Sequence, residues 1–392
     1  YIIVFAQRRR CPLIMELSVM SEAILYGSSL SLFTGRARSY LIKAGVDYRE
    51  TTPLLPHYQE TVVAAAGGRA GMPTLETASG QVIRDGAAII DHYEASSGET
   101  FSPRTPKQRI VSRLFDVIGA EGLLRPAMHY RWNFPEENRD FLKFHFESMT
   151  PRGEGRAQKA EKSADKMRAA CQAFGTVPDT FELVETLYLE LLHKLNAHFA
   201  EQPYLLGGRP SIGDFGMMAP LFGHLGRDPK PLALMQAKAV RLFRWVERMN
   251  RPEPDLGEFE CQDGEYLADD VIPDTLIELL AQLAIDFVPE TRAAAAAINT
   301  WLAEQHTLTA GTEVARGVGF GSFELRGVTI NALAQPYRFY LLKRVQDEYA
   351  SLNDSDKRDI VELLTACNIA ELLDLKLDRE IGRANNLEVW LD

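Results

Sequence analysis

Short apolar runs alternate with helix-like spacings between residues 23 and 97. Ala23 to Tyr26 is an apolar run that ends at Gly27, which is typical of a buried strand. Apolar positions over 36–44 then recur at helical spacing and stop at Gly45, a residue suited to ending a helix. In chain order, the pattern predicts a strand at 23–26, a helix at 36–44, a strand at 46–50, a helix at 57–66, a strand within 71–76, a strand at 81–83 and a helix at 87–94. This βαβαββα order predicts a small α/β domain.

The pattern becomes helical from residue 106 to residue 250. Three segments carry apolar stripes at helical spacing, namely 110–118, 181–199 and 240–249. A stripe of this kind is typical of a helix that packs one face against a core. We therefore expect an all-helical domain over 104–250.

The remaining residues mix both kinds of pattern. Two prolines stand among charged residues at 251–255, which indicates a linker. Beyond it, the spacing predicts a helical pair at 276–306, a hairpin around Arg326-Gly327, helices at about 335–350 and 355–373, and a strand at 387–391. The sequence thus divides into an N-terminal arm at 1–22, an α/β domain at 23–103, an all-helical domain at 104–250 and an α+β extension at 251–392.

Composition narrows the classes of function. The chain has 392 residues, of which 46% are hydrophobic and 25% charged, and a formal net charge of -11. An acidic surface argues against broad binding to nucleic acid or to anionic membranes. No stretch has the roughly 20 apolar residues that a membrane span requires. The eight histidines and four cysteines form no metal-binding spacing, so we expect no metal cofactor.

The cysteines and the first residues of the chain indicate the cellular compartment. The cysteines are scattered without a CxxC pair, as expected of reduced thiols in a cytosol-like compartment. At the N-terminus an apolar patch precedes Arg8, Arg9 and Arg10, the reverse of the order in a secretory signal. We therefore expect a cytoplasmic protein. The arginines, which have no acidic residue beside them, keep the mitochondrial matrix or another organelle as the alternative.

Four segments carry the candidate chemistry: Leu25–Arg38, Gly71–Leu75, Ile83–Tyr93 and Tyr204–Phe215. In this order and at these spacings they resemble the glutathione transferase family. They are similar to its first strand, active-site loop and first helix, to its residue-Pro-x-Leu segment, to its acid-Ser-x-x-Ile-x-x-Tyr segment, and to the Gly-x-x-Ser-x-x-Asp box of its helical domain. The resemblance covers about 23–250 and implies a thioredoxin-like α/β N-terminal domain followed by an all-helical domain.

Hydroxyl groups ahead of the first helix are candidate catalytic residues. A thiol with a free pKa of about 8.5 becomes a thiolate near neutrality when a hydroxyl donor and a helix N-terminus stabilise its anion. Ser31 and Thr34 lie just ahead of the helix predicted to begin near Arg36. The resemblance to serine-type transferases favours Ser31, with Thr34 second. The alternative is that these hydroxyls only cap the helix.

Two further segments imply glutathione-binding residues. The resemblance implies a cis bond between Met72 and Pro73, so that the backbone of Met72 pairs with an extended peptide ligand. Asp85 and Gly86 open the next predicted helix, whose free N–H groups can hold a carboxylate. The family has a serine at the position of Gly86, so only backbone donors remain there. Arg69 is the nearest basic residue before Met72.

One segment between two prolines suits a second substrate. His129, Tyr130, Arg131 and Trp132 follow each other in the chain and could line a pocket for an anionic or aromatic molecule. The alternative is a kinked helix in which these side chains have partners of their own.

The sequence thus predicts an enzyme that transfers the thiolate of glutathione, its co-substrate, to an unknown small electrophile. The alternative is a non-catalytic scaffold of the same fold, or a subunit of a larger assembly, in which the extension supplies a docking surface. The resemblance also allows a homodimer. It extends to a bacterial-type subgroup with a long C-terminal extension.

Overall fold

The computed structural model describes residues 22–252, 255–259 and 264–392. The predicted arm lies outside these residues apart from Glu22. Cys11, Cys261 and part of the predicted linker also fall outside them.

The N-terminal domain has the predicted order of strands and helices. Its elements are β1 (Ala23–Tyr26), α1 (Leu32–Lys43), β2 (Tyr48–Thr51), a π-helical turn (Tyr58–Val62) that continues as α2 (Val63–Ala65), β3 (Thr74–Glu76), β4 (Val82–Arg84) and α3 (Gly86–Ser97). The strands form one sheet in the order β2-β1-β3-β4. Strand β2 runs parallel to β1, while β3 and β4 are antiparallel neighbours. This is the thioredoxin-like arrangement that the sequence predicts.

Helix α1 begins earlier than the spacing predicts, at Leu32 and not near Arg36. Ser31 is extended, with φ -82° and ψ 127°, and its side chain accepts a hydrogen bond from the N–H of Thr34. A serine in this conformation satisfies one of the free donors of the first turn and so fixes the start of the helix. Thr34 therefore lies inside the helix.

The helical domain follows as eight α-helices within the described residues: α4 (Pro106–Val117), α5 (Leu124–Trp132), α6 (Pro135–Ser148), α7 (Arg156–Ala169), α8 (Phe181–Glu201), α9 (Ile212–Gly223), α10 (Pro229–Lys238) and α11 (Val240–Met249). A π-helical turn, Ile118–Gly122, joins α4 to α5. Helix α9 is central and almost entirely buried. It crosses α4 closely because glycines meet there: a Cβ on Gly216 would lie 2.4 Å from the Cα of Asp116.

The extension is built from helices and two hairpins. Its main elements are α12 (Asp274–Glu304), β5 (Phe320–Leu325), β6 (Val328–Leu333), α13 (Tyr337–Ala350), α14 (Asp354–Ala366), β7 (Ile381–Ala384) and β8 (Leu387–Trp390). The hairpin around Arg326-Gly327 and the final strand are as predicted. The predicted helical pair at 276–306 is instead one helix of 31 residues, α12, which continues through Pro289.

One hydrophobic core joins all three parts of the chain. A single cluster of buried side chains runs from Ala23 in β1 to Trp390 in β8. Helix α12 contributes Leu276, Leu280 and Phe287 to this cluster. It packs against α8 and against the π-helical turn between α4 and α5. The extension is therefore part of the same folded body as the N-terminal domain. No helix of the described residues is long and apolar enough to cross a membrane.

Candidate functional site

The loop between β1 and α1 presents Ser31 at the start of the helix. Its Oγ accepts a hydrogen bond of 3.3 Å from the backbone N–H of Thr34, and its side chain is half-buried. Within the described part of the chain, its own proton is donated to no protein acceptor. A ligand beside the N-terminus of α1 can therefore accept it, in a place where the helix dipole favours a negative charge.

Thr34, the second candidate, faces the protein interior. Its side chain is fully buried and accepts a bond of 3.4 Å from the N–H of Ser28. Gly27 packs directly on it, since a Cβ at Gly27 would lie 2.3 Å from Thr34 Cγ2. Thr34 supports the loop and does not face a ligand.

The helical domain holds this loop from the other side. Arg131 in α5 donates from Nη1 to the carbonyl of Leu30 at 3.0 Å, and Asp228 fixes the same guanidinium at 2.6 and 2.8 Å. The hydroxyl of Ser28 donates to the sulfur of Met149 at 2.8 Å. These buried contacts position the loop that carries Ser31.

The segment before β3 presents Met72 to solvent. The Met72–Pro73 peptide bond is cis. Tyr58 locks the preceding residue, since its hydroxyl donates to the carbonyl of Gly71 at 2.8 Å and accepts from the N–H of Gly71 at 3.0 Å. Pro73 is buried and Met72 is 38% exposed. Met72 thus lies between a residue locked by Tyr58 and a buried proline, with part of its own surface exposed.

Asp85 and Gly86 form the N-terminus of α3. Asp85 has φ 87° and caps the helix by accepting from the N–H of Ala88 at 3.3 Å. A Cβ at Gly86 would lie 3.4 Å from the carbonyl oxygen of Phe33 in α1 and 3.8 Å from Pro73 Cγ. The start of α1, the cis-proline segment and the start of α3 therefore converge at Gly86.

Side chains of the extension contact the same region. Tyr337, the first residue of α13, donates from its hydroxyl to Asp85 Oδ2 at 2.8 Å. Arg69 is paired with Glu313 at 2.6 Å. Arg84, at the end of β4, is paired with Glu388 of β8 at 2.8 Å. The extension thus lies directly beside the residues that the sequence assigned to glutathione.

The four expected pocket residues are packed in the protein interior, contrary to expectation. His129, Tyr130, Arg131 and Trp132 are each at most 5% exposed. His129 contacts Glu185 at 3.0 Å, and Tyr130 stacks on Phe134. Arg131 is bonded to the Leu30 carbonyl and to Asp228, and all nine residues of α5 are buried. The four side chains do not line an open pocket, and the indole N–H of Trp132 has no hydrogen-bond partner among the described residues.

A network of buried charges, which the sequence did not indicate, lies beneath the site. Arg36 in α1 is 2% exposed and bonded to Asp116 in α4. Burial alone would lower the pKa of Arg36, but the Asp116 carboxylate holds it above its ordinary value. Arg344 of α13 bonds Asp91 in α3 and lies 3.7 Å from Asp116. The one sign of the Arg36–Asp116 pair in the sequence is that each charged residue stands within an apolar helical stripe.

The described residues offer neither a metal site nor an exposed cysteine. No group of three or more His, Cys, Asp or Glu side chains there could hold a metal ion. Cys171 and Cys367 are buried, and burial raises the pKa of these thiols to about 12 and about 11. Neither lies in the loop that carries Ser31.

Comparison with known proteins gives a match for the N-terminal domain. Residues 25–101 match the family model described as "Glutathione S-transferase, N-terminal domain". A search of curated proteins found no match. The strand order and this match define a thioredoxin-like domain of the transferase type. Residues 25–101 therefore form a domain of the glutathione transferase N-terminal type.

Solved structures similar to the chain include three enzymes of that fold. The beta-etherase LigF from Sphingobium sp. strain SYK-6 is 16% identical, over 58% of this chain and 94% of that chain, with a TM-score of 0.42. The transferase GSTFuA3 from Phanerochaete chrysosporium is 15% identical, over 59% and 96%, with a TM-score of 0.42. A theta class transferase from Xanthomonas axonopodis pv. citri, solved with glutathione bound, is 19% identical, over 58% and 91%, with a TM-score of 0.33.

Proposed function

We propose that the N-terminal domain binds glutathione and that the protein transfers its thiolate to a small electrophile. The observation that supports this most is the convergence at Gly86. The first turn of α1, which Ser31 caps, the cis-proline segment that follows Met72 and the N-terminus of α3 meet there. Each of the three suits a different part of a tripeptide thiol.

The roles follow from the chemistry of the ligand. Met72 would pair, strand-like, with the backbone of the cysteinyl residue. The free N–H groups at Gly86 would hold the γ-glutamyl carboxylate, and Asp85 would accept from the γ-glutamyl amine. Arg69, on the other side of Met72 along the chain, would hold the glycine carboxylate.

Ser31 would donate its proton to the cysteinyl sulfur. Because this bond and the helix dipole favour the anion, the thiol loses its proton to solvent at a lower pH than free glutathione. The thiolate sulfur then attacks an electrophilic atom of the second substrate, forming a bond to it while a leaving group departs or a double bond opens.

A second candidate function is a non-catalytic scaffold of the same fold. It is favoured by one observation, which is that Tyr337 and Glu313 of the extension already bind Asp85 and Arg69. The two candidates differ in whether glutathione binds at all.

Calorimetric titration with glutathione distinguishes the two functions. We expect saturable binding in the millimolar range or tighter. Replacing Ser31 with Ala should raise the pKa of the bound thiol by about one to two units, since a hydrogen bond to a charged group contributes about 1.5–3 kcal/mol. The thiolate absorbance in the ultraviolet, followed against pH, measures this.

Asn353→Ala is the matched control, because Asn353 caps α14 far from the site in sequence. Both variants lose a helix cap, which costs about 1 kcal/mol of stability. Only the Ser31 variant should change the thiol pKa. Absence of binding at millimolar glutathione would leave the scaffold as the function, and an unchanged thiol pKa would remove Ser31 from its role.

A further inference from the structure

The extension places a hydrogen-bond donor on Asp85. The hydroxyl of Tyr337 lies 2.8 Å from Asp85 Oδ2, and the tyrosine is the first residue of a helix anchored in the core. Its neighbour Arg338 is buried and fixed by Glu290 at 3.1 Å and by the carbonyl of Glu121 at 3.1 Å. The hydroxyl is thus delivered from a rigid support.

The extension also places a carboxylate on Arg69. Glu313 lies 2.6 Å from the Arg69 guanidinium and is 46% exposed on its side chain. Its backbone is held by a β-bridge to Val389, and the next residue, Val314, donates its N–H to the carbonyl of Glu388 at 2.8 Å. Strand β8 therefore holds the backbone that carries this side chain in place.

The two contacts lie on opposite sides of Met72. Asp85 is tied to Pro73, since its N–H donates to the Pro73 carbonyl at 3.0 Å, while Arg69 precedes Met72 in the chain. The hydroxyl of Tyr337 donates to the carboxylate of Asp85, and the carboxylate of Glu313 is paired with the guanidinium of Arg69. Those are the kinds of group that the amine and the glycine carboxylate of glutathione would bring to the same two residues.

We infer that the extension is an internal competitor for the glutathione site, in which Tyr337 replaces the ligand amine on Asp85 and Glu313 replaces the ligand carboxylate on Arg69. This inference rests on the proposed function. The site admits glutathione only when both side chains turn away, so the extension sets the affinity of the site for its ligand. The helices of the extension stay in place, because their apolar faces belong to the common core.

The two contacts should differ in how strongly they compete with glutathione. The Glu313 pair is exposed to solvent, and such pairs contribute little. The Tyr337 hydroxyl bonds a carboxylate in a half-buried place, where a bond of this kind is stronger. Tyr337→Phe should therefore tighten glutathione binding about tenfold, and Glu313→Gln about threefold.

The experiment is calorimetric titration of the full chain with glutathione. Wild type, Tyr337→Phe, Glu313→Gln and the double variant are compared. Tyr349→Phe, at the far end of α13, is the control for the lost hydroxyl. Glu371→Gln is the control for the lost carboxylate, since the Arg292–Glu371 pair has the same 2.6 Å separation and Glu371 is about as exposed as Glu313. The controls should bind as the wild type does.

Derivatives of glutathione that are blocked at the amine or at the glycine carboxylate test the two contacts one at a time. With N-acetylglutathione, which has no free amine, the gain from Tyr337→Phe should vanish. With the glycine ethyl ester of glutathione, the gain from Glu313→Gln should vanish. A gain that persists with the corresponding blocked ligand would overturn the inference.

The remaining outcomes separate the inference from the proposed function. If the wild type binds glutathione and the variants bind no more tightly, the inference is wrong and the proposed function stands. If no variant binds, both are wrong. Thermal melting checks that each variant is folded, and Tyr337→Leu, which also lacks the hydroxyl, replaces Tyr337→Phe if that variant does not fold.

Discussion

Glu121 is a carboxyl group inside the protein, in the π-helical turn between α4 and α5. It is 3% exposed, and among the described residues its Oε2 has no hydrogen-bond partner. Burial raises its pKa from 4.5 to about 7. Arg338 of α13 and Arg36 of α1 oppose this rise, while Glu290 of α12 and Asp85 of α3 add to it.

The stability of the protein should depend on pH through this group. Since the folded chain holds the Glu121 proton more tightly than the unfolded chain, its contribution is complete below about pH 4.5 and is lost as the pH rises through about 7. Glu121→Gln stays neutral throughout. At pH 8 we expect the variant to have the higher free energy of unfolding, by up to about 3 kcal/mol, and at pH 4.5 the two should agree.

Urea unfolding across this pH range measures the difference. Glu362→Gln, a change of the same kind at an exposed position on α14, should leave the pH profile unchanged. Parallel profiles for wild type and Glu121→Gln would contradict the prediction.

For single residues, the sequence predicts a role correctly where that role depends on neighbours in the chain. Ser31 caps the helix that follows it, and Met72 precedes its proline, so short motifs identify both. Tyr337 is separated from Asp85 by 252 positions, and no periodicity reports such a contact. His129 and Arg131 do not line an open pocket because every residue of α5 is buried, which their polar side chains did not indicate in the sequence.

The hairpin of β7 and β8 covers an edge of the N-terminal sheet. Its turn is Asn385-Asn386, both with positive φ, as tight hairpin turns require. The side chain of Asn386 donates to the carbonyls of Val82 and Ala65 at 3.0 and 3.1 Å and accepts from the N–H of Arg84 at 3.2 Å. One amide thus satisfies the free edge of β4 as a neighbouring strand would.

Removal of that amide should loosen the hairpin. Asn386→Gly preserves the positive φ and removes three hydrogen bonds, so we expect a loss of about 1–3 kcal/mol in the free energy of unfolding. Asn385→Gly makes the same change at the other turn position, where the side chain makes no hydrogen bond among the described residues, and should be nearly neutral. Denaturant unfolding compares the two, and equal losses would show that the amide has no such role.

The elements themselves were largely predictable, and their docking was not. Apolar spacing places β1, α3 and the hairpin of β5 and β6, because each is decided over a few residues. The start of α1 was predicted too late, near Arg36, because the sequence of its first turn resembles a loop. The cap by Ser31 places the start at Leu32. The predicted pair at 276–306 was wrong, because the segment forms the single helix α12, with Pro289 inside it.

The whole molecule behaves as one packing unit. Phe287 of α12 is 1% exposed and lies against the π-helical turn, where a Cβ on Gly122 would approach it to 2.7 Å. The same core cluster continues into β1 through the helical domain. Stability should therefore be shared between the extension and the N-terminal domain.

Phe287→Ala tests this sharing. Truncating a buried phenylalanine costs about 3–5 kcal/mol, and we expect amide hydrogen exchange to accelerate in β1 as well as in α12. Phe320→Ala, at a residue 61% exposed on β5, is the control and should change exchange little. Faster exchange confined to α12 would mean that the extension unfolds on its own.

The position of Arg344 has a consequence for how such a chain can change over generations. This one guanidinium bonds Asp91 in α3 and approaches Asp116, which Arg36 also holds. Replacing it would leave the buried Asp116 and the partly exposed Asp91 with one cationic partner fewer, so we expect substitutions at these four positions to be correlated. A change at Arg344 in the extension should therefore be accompanied by changes in the N-terminal and helical domains.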